Sequence, residues 1–121
     1  MTEDVPESIR RIISRIDPGW PEVIEVGQGW YPILARLNEH LSEMAPGYVV
    51  HQVKSKFGSL SFHAQSSQDP LNYHEEFLDA IRAAEWESTE ACEDCGEPAQ
   101  TYVIRLWVWT LCERHAADKR A

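Results

Sequence analysis

Cys92 and Cys95, followed by Cys112 and His115, are the residues of this chain whose types and spacing carry chemistry. They read C-E-D-C-G and then C-E-R-H, with sixteen residues between Cys95 and Cys112. Thiolate and imidazole are soft ligands suited to zinc. A two-residue gap lets both members of a pair face one metal, and the longer loop brings the second pair round to it. Four protein ligands complete a tetrahedron and leave no position for water. The expected site is therefore one structural Zn2+, not a catalytic one. Gly96, directly after the second cysteine, suits a knuckle turn whose backbone N–H groups face the sulfurs. Three other readings stay open. Cys92 and Cys95 could form a redox pair, although no thioredoxin-like βαβ pattern surrounds them. His115 could be an ordinary surface histidine, with His74 or a water as fourth ligand. The three cysteines could be plain core residues.

No second constellation of this kind exists. His40, His51, His63 and His74 are scattered, and neither H-E-x-x-H nor G-x-S-x-G occurs. Gly27-Gln28-Gly29 is too short to cradle a phosphate and runs into aromatics and a proline. His51 alternates with Val49 and Val53, which indicates a core or hairpin-face position. With no nameable acid–base pair, the chain is not expected to be an enzyme. Trp107 and Trp109 share one face of a strand. They are expected to cover a small core beside the metal, with base stacking or peptide docking as the alternative. Trp20, Trp30 and Trp86 are expected in the core or at its edge.

The net charge of −9 is concentrated. Residues 66–97 hold ten acidic residues and one basic residue, Arg82, whereas the rest of the chain balances ten against ten. Such a block repels phosphates and suits a basic partner, unless it only keeps a helix face solvated. Glu75, Glu76, Asp79, Glu85, Glu87 and Glu90 are the candidate partner-binding residues. Lys54 and Lys56 flank a turn and read as solvated. The chain starts without the basic and apolar stretches of a secretory signal, and no apolar run is long enough to span a bilayer. With cysteines in a metal pattern as well, a cytoplasmic location is expected.

The elements that must position these residues can be read from periodicity. Ile9, Ile12, Ile13 and Ile16 mark a first helix over 7–16, ended by Asp17-Pro18-Gly19. A Gly/Pro-rich aromatic connection follows, with a possible short strand over 22–26. Ile33, Leu34, Leu37, Leu41 and Met44 mark a helix over 31–44, with Pro32 in its first turn. Residues 48–65 alternate as a β-hairpin turning around Ser55–Gly58. A third helix is expected over about 71–89, with Tyr73, Phe77, Ala80, Ile81 and Ala84 inward. Residues 101–111 read as one long strand or a tight hairpin, and 112–119 as a short helix. The fold class is α+β: helices on a small antiparallel hairpin, with a C-terminal Cys3His site. The order of knuckle, β segment and helix-borne ligand pair resembles a treble clef, with a zinc ribbon as runner-up. One compact domain, 1–121, is expected, with a helix–hairpin–helix core (1–90) and a zinc-binding subdomain (91–121).

G-W-Y-P-I-L at Gly29–Leu34 and Q-V-K-S-K-F-G-S-L-S-F at Gln52–Phe62, with C-E-D-C-G and T-L-C-E-R-H, resemble small uncharacterised proteins of bacteriophages and prophages. The resemblance covers roughly 29–115 and brings no established activity. It leads to the expectation of a glycine-containing turn between the ligand pairs, where this chain has T-Y-V-I-R-L-W-V-W. Charge, motif and resemblance together imply a zinc-stabilised, acidic protein-interaction module acting on a host protein. One alternative is an inhibitor of a host defence nuclease, such as a CRISPR effector, that mimics nucleic acid with its acidic 66–97 segment. Another is a nucleic-acid-binding zinc finger using Arg105, Arg114, Lys119 and Arg120, which the net charge disfavours.

Overall fold

The computed structural model describes residues 5–69, 71 and 74–121. The order is α1 (Glu7–Ile13), β1 (Ile24–Glu25), a 3-10 turn (Gln28–Trp30), α2 (Tyr31–Met44), β2 (Val49–Lys56), β3 (Ser59–Gln65), α3 (Glu75–Ser88), β4 (Gln100–Ile104), β5 (Trp107–Leu111) and α4 (Glu113–Arg120). The architecture is α+β, as the periodicities require. β2 and β3 pair antiparallel, and β1 adds two residues in parallel to β2. β4 and β5 form a separate two-stranded hairpin, which settles 101–111 as a hairpin.

α1 stops three residues short of the expected end. Ser14 Oγ donates to the Arg11 carbonyl, and the backbone then pairs with β2: Val50 N–H donates to Arg15 O, and Asp17 N–H to Val50 O. Ile16 is still buried, but through a parallel bridge to Val50. Sequence spacing cannot separate those two routes into the core. α2 runs as expected, with Ile33, Leu34, Leu37 and Leu41 buried and Met44 packed at the margin. Each buried aliphatic chain contributes about 2 kcal/mol by leaving water.

Arg15 locks α1 to the α2–β2 connection. Its guanidinium donates to the Pro46 and Tyr48 carbonyls and to Ser42 Oγ, and lies 4.1 Å from the Tyr48 ring centroid. The buried Tyr48 hydroxyl donates to Asn38 Oδ1. Burial pushes the Tyr48 pKa up to about 12 from 10.0, against the opposing pull of Arg15. The folded state thus holds this proton more tightly than the unfolded chain does. The associated stability is intact below pH 10 and is lost as pH rises to about 12. Circular dichroism across that window should show alkaline unfolding. Tyr48→Phe should shift it to higher pH while costing about 1 kcal/mol at neutral pH for the lost hydrogen bond. An unchanged alkaline profile in Tyr48→Phe would contradict this.

The β2–β3 turn is tighter than expected, using only Phe57 and Gly58, both with positive φ (54° and 81°). His51 sits at a bulge on the hairpin, stacked on Trp20 with ring centroids 5.2 Å apart. Its Nε2 lies 3.8 Å from Asp17 Oδ2. α3 starts at Glu75 because His74 caps it: His74 Nδ1 accepts from Phe77 N–H at 3.2 Å. Tyr73 and Pro70, expected at or before the start of this helix, lie outside the described residues. Phe77, Ile81 and Ala84 face the core. α3 also covers the outer edge of β3, which would otherwise present bare N–H groups. Ser88 Oγ accepts from Leu60 N–H, and the Glu85 carboxylate accepts from Phe62 N–H.

Burial divides into two clusters. The larger joins α1, α2, β2, β3 and α3 around Trp30, Leu34, Val50, Val53 and Phe77. The smaller holds only Cys92, Ile104, Leu111 and Ala116 at its centre. Among the described residues, no helix is long and apolar enough to cross a membrane.

Candidate metal centre

Three local structures bring the four ligands together. Cys92–Gly96 is a tight turn just after α3, closed by Gly96 N–H donating to Cys92 O, with Gly96 at φ +85°. The β4–β5 hairpin then reverses through Arg105 and Leu106, both at positive φ and neither a glycine. Cys112 caps α4: its Sγ accepts from His115 N–H at 3.5 Å, and His115 lies in the first turn. Knuckle, hairpin and ligand-bearing helix give the treble-clef-like order.

The ligand atoms of Cys92, Cys95, Cys112 and His115 all lie within 4.8 Å of one another. Cys95 Sγ and Cys112 Sγ are 3.7 Å apart, and His115 Nδ1 lies 3.5 Å from Cys92 Sγ and 3.2 Å from Cys112 Sγ. A tetrahedral site with metal–sulfur bonds of ~2.3 Å and a metal–nitrogen bond of ~2.0 Å has edges of about 3.5–3.8 Å. The Cys95–Cys112 and Cys92–His115 spacings match those edges and the Cys112–His115 spacing is slightly shorter, so the cluster could hold a metal ion, with Nδ1 as the imidazole ligand. The histidine that joins the three cysteines is His115 and not His74, whose Nδ1 caps α3. All three cysteines are free thiols. The His115 N–H holds the Cys112 thiol below its ordinary pKa, as suits a metal-binding thiolate. The Glu97 N–H is the largest influence on Cys95 and pulls its pKa down. Burial and the Cys92 and Cys112 sulfurs outweigh it and push Cys95 up.

The knuckle is seated on the larger core by residues that motif reading passes over. Gly29 N–H donates to Glu93 O at 2.8 Å, and Gly27 N–H donates to Glu93 Oε2 at 3.0 Å. A Cβ on Gly29 would stand 2.2 Å from Cys92 O and 2.6 Å from Cys95 N. Trp30, fully buried, donates its indole N–H to Ala91 O at 2.8 Å. The buried Glu93 carboxylate also accepts from Ser55 Oγ, and Glu93 N–H donates to Thr110 O. Burial raises the Glu93 pKa, and the Gly27 and Ser55 hydrogen bonds oppose that rise. Thus G-Q-G-W, which cradles no phosphate in the sequence reading, forms a seat where one backbone approaches another. The available signal was two glycines within an aromatic stretch.

The acidic residues divide. Glu85 is bound to the β3 edge, Glu87 to Arg36 at 2.7 Å, and Asp79 to Arg82 at 2.9 Å. Glu75, Glu76 and Glu90 are exposed and, among the described residues, make no ion pair. Trp86 corrects an expectation: it lies neither in the core nor at its edge but is 71% exposed on the outer stripe of α3. Alternation of small and charged residues around it, not its own hydrophobicity, sets which way it faces. Trp30 is core as expected, and Trp20 is a half-open partner of His51. Trp107 and Trp109 share a face, with Trp109 under Lys119. Comparison of the chain with protein-family models, curated proteins and solved structures finds no match.

Proposed function

We propose that this chain is a zinc-stapled protein-interaction module that offers the outer face of α3 to a basic surface on a partner protein. Zinc is the metal that three thiolates and one imidazole in a closed tetrahedron suit best. With every coordination position taken by protein, the ion's role is structural and the module is non-catalytic. The observation that carries the reading is Trp86. A large indole is left 71% exposed on α3, with Glu90 one turn on and Asp79, Glu75 and Glu76 two to three turns back along the helix, where Asp79 pairs with Arg82; this has the composition of an interface anchor with a charged surround. The resemblance to phage and prophage proteins implies that the partner is a bacterial host protein met in the cytoplasm.

The test is affinity capture from host lysate with the full chain. Trp86→Ala, and separately charge reversal at Glu75, Glu76 and Asp79, should each remove the captured partner while leaving melting temperature and metal content unchanged. Capture should also weaken as salt rises, because the rim charges are exposed. Capture indifferent to both variants would end this reading.

A further inference from the structure

We infer that the two hairpins form a second binding face, opposite in charge to α3, whose ligand is single-stranded nucleic acid. The chain carries 20 acidic residues, yet residues 48–65 and 98–111 contain none. These segments are the β2–β3 and β4–β5 hairpins, and they touch. Gly58 lies against Val108 and Thr110, and Thr110 Oγ1 donates to the Gly58 carbonyl. The strands of both hairpins are therefore free of acidic residues on a chain of net charge −9, and carboxylates of other elements reach them at Ser55 (the buried Glu93), at the outer β3 edge (Glu85), beside His51 (Asp17) and across from Lys54 (Glu25). A polyanion needs acid-free strands, since a carboxylate among the phosphate contacts would repel it.

The same surface displays apolar side chains to solvent at both tips. Phe57 is 77% exposed, Leu106 97% and Trp107 55%. Phe57, Arg105 and Leu106 hold φ between 54° and 69°, where a side chain costs about 1–2 kcal/mol that glycine would avoid. These turns keep bulky side chains at a conformational cost and point them away from the core. Such strain concentrates where a side chain has a use outside the fold.

The cations select the ligand. Lys54 lies opposite Glu25 in the β1–β2 backbone register, without an ion pair between them, and Lys119 Nζ lies 4.0 Å from Asp94 Oδ2. Among the described residues, Lys54, Lys56, Arg105 and Arg120 make no ion pair with an Asp or Glu side chain. Arg120 lies 5.1 Å from the Tyr102 ring centroid, and in sequence Lys56 directly precedes Phe57 and Arg105 stands two residues before Trp107. Arg105 also donates to the Ala121 carbonyl, which ties the end of α4 to the hairpin turn. Exposed rings and cations without Asp or Glu partners on the same two hairpins and the adjoining α4 match a strand that offers bases and phosphates in alternation. An acidic protein would use the cations and leave the flat rings idle. This face is independent of the α3 interface, so either can fail alone.

The test is fluorescence anisotropy with labelled oligo-U and oligo-dT of about 20 nucleotides, an equal-length duplex and poly-glutamate, using metal-loaded full chain. Single strands should bind at about 50 mM salt and weaken steeply by about 200 mM. Trp107→Ala and Phe57→Ala should each weaken binding about tenfold through lost stacking. Arg105→Gln and Lys56→Gln should weaken it and flatten the salt dependence. Metal content and melting curves of the four exposed-site variants establish that they are folded. Trp86→Ala should bind single strands normally. The proposal is overturned by no binding at low salt, by equal binding of duplex or poly-glutamate, or by ring variants that bind like the wild type. It is equally overturned if sedimentation shows these tips buried between two copies of the chain.

Discussion

Cys95→Ser should abolish stoichiometric metal binding and lower the melting temperature by at least about 10 °C, at roughly 4 °C per kcal/mol for a chain this size. The smaller cluster has only four buried residues at its centre, one of them Cys92. It cannot offset the ordering of thirty residues by burial alone. A structural zinc supplies about 10–16 kcal/mol of apparent binding energy in finger peptides, comparable with the ~5–15 kcal/mol that holds a whole domain. Removing one thiolate leaves Cys92, Cys112 and His115 as an open three-ligand site. The larger cluster uses none of these residues, so α2 and the β2–β3 hairpin should survive. Thermal scans with metal analysis check this, and a wild-type melting temperature in Cys95→Ser would refute it.

Gly29→Ala should destabilise the protein comparably while leaving the metal bound. Its Cβ would stand 2.2 Å and 2.6 Å from two backbone atoms of the knuckle, which cannot rotate aside as a side chain would. The knuckle must lift, and the bonds from Gly27 N–H, Gly29 N–H and the Trp30 indole loosen together. Overpacking with about three strained hydrogen bonds costs roughly 3–5 kcal/mol. All four ligands lie within 92–115 and keep their mutual geometry, so metal content should stay at one ion per chain. Quenching of Trp30 fluorescence should rise as the indole loses its cover. Gln28→Ala, at the exposed position between the two glycines, should change none of these readings. A Gly29→Ala protein that melts like the wild type would show that the seat carries no stability.

The contrast between the two variants separates what the sequence disclosed from what it hid. The four ligands were legible because metal coordination imposes a spacing in the chain itself. α2 was legible to the residue because Pro32 and Ala45-Pro46-Gly47 punctuate a clean apolar stripe. The seat of the knuckle was not legible, since Gly27 and Gly29 meet Glu93 some 66 residues away through backbone atoms that carry no side-chain signature. Ile16 misled because a helical turn and a β-bridge bury the same residue. Trp86 misled because hydrophobicity argues for burial, whereas its position on the helix puts it outside. The six acidic residues looked equivalent as a run of letters, but packing gave Glu85 and Glu87 to internal partners. The 101–111 turn lacked the expected glycine, and Arg105 with Leu106 makes it instead.

X-ray absorption at the zinc edge, on full chain purified without chelators, tests the centre most directly. The spectrum should show one zinc per chain with three sulfurs at ~2.3 Å and one nitrogen at ~2.0 Å, and no bound water. A chain that is folded and metal-free, or an ion held mainly by oxygen, would contradict the account.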